Sequence, residues 1–220
     1  MRRFFICLFL TLLLGCVCSC DRTRELLSFH QNYIQGYRTG ELSLYTAFLR
    51  PEEEPEITHF YMGAEEYISP QTDPVEFERL ASRNGDVSYN QWINEDPVFY
   101  KQPVAFAYDF GSLHITSNAD WDTEHPAGSL LDDIMQVEMS SYAEYIRNGY
   151  TGPVEVCHKK LASELSAEDM AIVSDSYFTI RFMRAPTLER EHTLTVTLTT
   201  TDGKVYTDSL YCIPEVESEN

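Results

Sequence analysis

Residues 193–199 alternate Thr with Leu or Val without a break: Thr193, Leu194, Thr195, Val196, Thr197, Leu198, Thr199. A period of two marks a strand with one buried and one solvated face, because successive side chains of an extended chain point to opposite sides. A second such run, residues 205–213, follows Asp202-Gly203, a dipeptide that supplies the positive backbone angles of a tight hairpin turn. The two runs predict an antiparallel pair whose apolar face needs a cover, and the rest of the chain offers strands to supply it. In residues 104–116, Phe106, Tyr108, Phe110, Leu113 and Ile115 alternate with smaller or polar residues, and Gly111 marks a bulge or bend. Residues 177–183 put Phe178, Ile180 and Phe182 on one side, and residues 154–157 form a further short strand. Residues 42–49 and 57–68 flank the charged turn Pro51-Glu52-Glu53-Glu54-Pro55 and are also read as strands. The 14 Tyr, 12 Phe and 2 Trp among 220 residues suit such a fold, since aromatic rings favour pleated, large-area packing. The expected class is mainly β: an antiparallel immunoglobulin-like β-sandwich with one or two short helices.

Helical spacing is confined to a few places. Ser129-Leu130-Leu131-Asp132 opens like a capping box, and Leu131, Ile134, Met135, Tyr142, Tyr145 and Ile146 predict a whole or broken helix over residues 129–148. Ser166-Ala167-Glu168-Asp169 predicts a shorter one to residue 173 by the same logic. Residues 69–100, punctuated by Asp73-Pro74, Asn84-Gly85 and Asp96-Pro97, are expected to be loops with one or two short helices.

The N-terminus addresses location. Arg2 and Arg3 precede an apolar run, residues 4–14, and then Gly15, Cys16, Cys18, Ser19 and Cys20. This is the layout of a secretory signal peptide, and the run falls short of the roughly 20 residues that cross a bilayer as a helix. Leu13-Leu14-Gly15-Cys16 and Val17-Cys18-Ser19-Cys20 both resemble the lipobox of bacterial lipoproteins, whose cysteine is acylated and becomes the first mature residue. Cys20 is preferred to Cys16 because polar residues begin at Asp21 and the whole apolar run is then removed. The resemblance implies lipid anchoring in the cell envelope, with the outer membrane favoured, and membrane attachment through the anchor alone. The domain reading is a signal peptide at 1–19, a tether and spacer at 20–40, and one β-rich domain at 41–220. Residues 115–134, with Asp120-Trp121-Asp122, His125-Pro126-Ala127-Gly128 and Leu131-Asp132-Asp133-Ile134, also resemble uncharacterised extracytoplasmic lipoproteins of Bacteroides-type bacteria. That resemblance implies a setting and no activity. Asp208-Ser209-Leu210 is similar to the O-glycosylation signal of such bacteria, which makes Ser209 a candidate acceptor.

Signal removal takes Arg2 and Arg3 from the 16 basic residues and none of the 35 acidic ones, so the net charge moves from −19 to about −21. A field of that sign repels phosphate backbones and anionic head groups, which disfavours nucleic-acid partners. Cys157 and Cys212 survive signal removal and are either a disulfide or two buried thiols. Asn118 to His125 place oxygen ligands at alternate residues, including Asp120, Asp122 and Glu124, like the start of a calcium loop. The loop lacks the glycine and the bidentate glutamate such a loop needs at its sixth and twelfth positions; its other reading is a connection whose Asp side chains cap turns. No cofactor is expected. The chain carries no Gly-x-Ser-x-Gly elbow, no His-Glu-x-x-His, no phosphate-binding glycine loop and no dinucleotide fingerprint. The leading expectation is therefore a non-enzymatic envelope module that binds another envelope protein or contributes to surface structure. The alternatives are a glycan-binding lipoprotein using exposed aromatics such as Trp92 and Trp121, and a hydrolase of envelope polymers.

Overall fold

A computed structural model describes residues 32–46, 56–89 and 103–217. The Thr/Leu/Val repeat forms β9 (His192–Thr200), and the chain returns as β10 (Val205–Pro214) after Gly203, whose φ is +85°. Their antiparallel register runs from Val205 opposite Thr199 to Cys212 opposite His192. Leu194, Val196 and Leu198 are fully buried, as the alternation requires. β5 (Phe110–Ser117) pairs antiparallel with the other edge of β9, and the register shift between Phe110 and Ser112 places the expected bulge at Gly111. A β-carbon there would lie 3.0 Å from the Thr199 carbonyl oxygen, so glycine lets the two backbones approach. β2 (Glu56–Ile57) runs parallel to the end of β10 and completes a four-stranded sheet in the order β2-β10-β9-β5.

The second sheet contains β1 (Gly36–Tyr45), β3 (His59–Ile68), β4 (Val104–Phe106), β6 (Met135–Ser141), β7 (Val156–Leu161) and β8 (Val173–Phe182). Its order is β3-β1-β4-β8-β6-β7, with a further β3–β8 pairing. The protein is thus mainly β, with mixed rather than purely antiparallel pairing. β1–β4 and β2–β10 are parallel because neither pair is joined by a hairpin: the chain travels through other elements before it returns. The main core lies between the sheets, where Phe106, Phe110, Ile115, Val137, Phe178 and Val196 pack together.

A second core is rich in tyrosine and joins Tyr33, Tyr37, Tyr89, Tyr142, Tyr145 and Tyr150 to the buried faces of α1 (Pro74–Arg83) and α2 (Ala143–Arg147). α1 starts where Asp73 accepts the Glu76 N–H at 3.1 Å and Pro74 presets the first turn; Phe77, Leu80 and Ala81 face inward. At the centre sits Asp86, with no exposed surface, whose carboxylate accepts the backbone N–H of Tyr33 at 2.7 Å and of Ile34 at 2.8 Å and the Tyr150 hydroxyl at 3.0 Å. Burial raises its pKa, partly offset by these three donors.

Several expectations change. Residues 33–40 belong to the fold and not to a spacer: Tyr33, Ile34 and Tyr37 are buried and β1 begins at Gly36, because their apolar side chains have a second core to enter. Residues 129–148 are not one helix. Met135, Val137 and Met139 alternate inward as β6, and only the five residues of α2 are helical. Residues 166–173 form turns: Ser166 and Asp169 exchange the hydrogen bonds of a capping box, but Ile172 adopts a φ of +48° and the chain enters β8. Cys157 and Cys212 are both free thiols. They lie in different sheets, Cys157 exposed and Cys212 buried, so the disulfide geometry is not met. Burial pushes the Cys212 thiol up to about 12. Among the described residues no helix is long and apolar enough to cross a membrane.

Candidate functional site

The pairings of the six-stranded sheet close on themselves. β8 meets β3 through Thr179 and Arg181 and meets β4 through Ser174, while β1 pairs with both β3 and β4. A ring of four strands results, and its opening is a recess of about 430 Å³. All four strands line it: Arg38, Ser43 and Tyr45 from β1, Gly63 and Glu65 from β3, Phe106 from β4 and Asp175 from β8. The volume falls in the range of small-molecule sites.

Register explains what reaches this face. Leu42 and Leu44 of β1 and Phe60 and Met62 of β3 point into the core, so Ser43, Tyr45, Tyr61 and Gly63 point out. Tyr45 and Tyr61 are direct cross-strand partners, and their rings stack at 5.6 Å with 25° between planes. Tyr61 is oriented from below by His59, whose Nε2 lies 3.0 Å from the phenolic oxygen. Burial and the nearby Arg181 lower the His59 pKa, so the ring is neutral at pH 7. Tyr45 remains 48% exposed and leans over Gly63, where a β-carbon would stand 3.0 Å from its Cε1. Partial burial and the Asp175 charge raise the Tyr45 pKa, so it stays a neutral phenol.

The polar side of the opening is fixed by an ion pair. Arg38 Nε donates to Asp175 Oδ2 at 3.1 Å, across 137 residues of sequence. The guanidinium also lies over the Tyr67 ring, 5.4 Å from its centroid. Tyr67 in turn rests on Gly36, where a β-carbon would come within 2.1 Å of its hydroxyl oxygen. Two glycines therefore seat two tyrosines: Gly63 lies under Tyr45, which lines the recess, and Gly36 lies under Tyr67, which stacks on Arg38. The arrangement offers flat apolar faces beside a fixed donor and fixed acceptors, and a neutral or polar ligand can use both.

The residues singled out from sequence lie elsewhere. Trp121 has no exposed surface and packs on Phe182 and His192, so it cannot stack on a ligand; its alternation with polar neighbours reflects a loop folded back over the core. Trp92, Cys16 and Cys20 fall outside the described residues. In the acidic loop, Asp120 Oδ1 accepts the Ala127 N–H at 2.7 Å, and Asp122 Oδ1 accepts the N–H groups of Glu124 and His125 at 2.8 and 2.9 Å. Glu124 is exposed, and among the described residues no three His, Cys, Asp or Glu side chains are placed to hold a metal ion together. The Asp120 and Asp122 oxygens thus cap turns. His125 bridges Asp122 at 2.8 Å and Asp133 at 3.1 Å; burial alone would lower its pKa, but the two carboxylates raise it. Ser209 is exposed on β10, with its hydroxyl 2.8 Å from that of Thr195.

One serine–histidine pair has catalytic-looking geometry. The Ser117 hydroxyl lies 2.7 Å from His192 Nδ1, and His192 Nε2 lies 3.0 Å from the Glu189 carbonyl, an arrangement that makes the serine the donor. Both are buried, Ser117 at 4% and His192 at 1% exposure, beneath Trp121, so a substrate has no approach to either. Sequence reasoning missed the recess because Tyr45 and Tyr61 look like ordinary strand aromatics and Arg38 and Asp175 are far apart in the chain. No protein-family model, curated protein or solved structure matches the chain.

Proposed function

We propose that this protein is a lipid-anchored, non-enzymatic binding module of the bacterial cell envelope, held at the outer membrane through Cys20 and using the ring recess as its binding site. The observation that carries the reading is the preformed recess itself, in which Tyr45, backed by Tyr61, and the Arg38–Asp175 pair are fixed before any ligand arrives. The lipobox-like segment supports the anchor, and the acidic surface disfavours nucleic acid and direct docking on anionic head groups. The facing sheets and the core between them support reading the scaffold as an immunoglobulin-like sandwich modified by two parallel pairings. A second reading, a glycan-binding lipoprotein, is favoured by the exposed face of Tyr45.

Two measurements test the proposal. Growth with an alkynyl fatty acid should label the chain, and Cys20→Ser should abolish the label while Cys16→Ser retains it. Immobilised mature chain should bind protein or glycan fractions of the envelope more strongly than a Tyr45→Ala/Arg38→Ala double variant. Equal binding by both forms across every fraction would remove the recess from the function.

A further inference from the structure

We infer that the recess binds an uncharged pyranose unit of a glycan, stacked through its C–H face on Tyr45, with its hydroxyl groups bonded to the Arg38–Asp175 pair. The inference rests on the binding-module reading and specifies the ligand of that site. A pyranose presents one apolar face and a rim of hydroxyls that both donate and accept. The recess has the complement of each part. Tyr45 is held flat against Tyr61 and half exposed, and Phe106 forms an apolar floor. Beside them Arg38 supplies donors, and Asp175 and Glu65 supply acceptors. Because Arg38 and Asp175 hold each other, neither must be reoriented on binding, and hydroxyls can bond to the outer atoms of a fixed pair.

Charge narrows the class further. The lining carries two carboxylates and one guanidinium, and that guanidinium is already paired with Asp175 and stacked on Tyr67. The chain around it has a net charge of −19. Uronates, sialylated and sulfated sugars would meet uncompensated like charge, whereas neutral hexoses would not. Gly36 and Gly63 show that the aromatic seats depend on the backbone beneath them: side chains at these positions would meet Tyr67 and Tyr45.

The experiment titrates the mature chain with uncharged gluco-, manno-, galacto- and N-acetylglucosamine oligosaccharides, alongside uronate, sialylated and sulfated ones, by calorimetry and NMR. At least one uncharged class should bind, with ring-proton shifts at Tyr45 and weaker or no binding by its anionic counterparts. Tyr45→Ala should lower affinity about tenfold or more, while Tyr45→Phe, which keeps the ring, should stay within about threefold of the parent. The unfolding midpoints of both variants confirm that they are folded. Failure of every uncharged glycan to bind at millimolar concentration, preference for anionic sugars, or indifference to Tyr45→Ala overturns the inference. If envelope material binds through the recess and protease, not glycosidase, abolishes that binding, the saccharide is wrong and the binding module stands. If no envelope fraction distinguishes the double variant from the parent, both fall.

Discussion

Replacing Asp86 with Ala should be among the most destabilising single substitutions available to this fold. The change withdraws the acceptor from two buried backbone N–H groups, those of Tyr33 and Ile34 at 2.7 and 2.8 Å, and from the Tyr150 hydroxyl at 3.0 Å. Each buried backbone donor left without its acceptor costs about 1–3 kcal/mol, a gross loss of roughly 2–6 kcal/mol for the pair. Relief from burying a carboxylate, visible in its raised pKa, offsets part of this and leaves a net loss of about 1–4 kcal/mol. Against a typical total of roughly 5–15 kcal/mol, that is a large share. Urea unfolding followed by near-ultraviolet dichroism, which reports the tyrosine packing, is the assay. With a slope of about 2 kcal/mol per molar, the midpoint should fall by roughly 0.5–2 M. The pH dependence gives an independent check of sign. A carboxyl whose folded pKa is raised contributes its full stability below the unfolded value of about 3.9 and loses it as pH rises through the folded value. The advantage of the parent over Asp86→Asn should therefore be greatest under acidic conditions and shrink as pH rises. A midpoint change under about 0.3 M for Asp86→Ala, or a gap that widens with pH, would refute the reasoning.

Three further outcomes are expected. Gly36→Ala should displace the Tyr67 ring and its stacked Arg38, raising hydrogen-exchange rates around Arg38 and weakening ligand binding while leaving the β9–β10 hairpin protected. His125 has a raised folded pKa, so its contribution is complete below about pH 6.5 and fades as pH rises through the folded value; His125→Gln should remove that decline from the stability profile. A maleimide or disulfide reagent should modify Cys157 in the folded protein and Cys212 only after unfolding, because Cys157 is exposed and Cys212 is buried with its thiol pushed up to about 12; equal rates at both would contradict the assignment.

Local pattern carried the β9–β10 hairpin, the bulge at Gly111 and the mainly β class, since each depends on residues a few positions apart. It failed where two periods fit one segment. Leu131, Ile134, Tyr142 and Tyr145 suit a helix, but Met135, Val137 and Met139 suit a strand, and pairing with β7 and β8 decides for the strand. It failed again at the second core, whose tyrosines are scattered from Tyr33 to Tyr150 and have meaning only once α1 and α2 are in place. The recess was illegible for the same reason: Arg38 meets Asp175 only after β4 and β8 have closed the ring. Trp121 drew attention by rarity, yet bulk and an apolar surface suited it to the core.

The Asp86 clamp also has a mechanical consequence. Tension applied through the chain ahead of Asn32 is delivered first to the paired N–H groups of Tyr33 and Ile34 and then, within two residues, to β1. β1 lies between β3 and β4, bonded on both flanks, so a pull along its axis loads several ladder bonds together in shear. The strand that would carry the load of an anchor is also the one that supplies Arg38, Ser43 and Tyr45 to the recess. In the anchored arrangement proposed above, force on the tether and occupancy of the recess would act on the same strand.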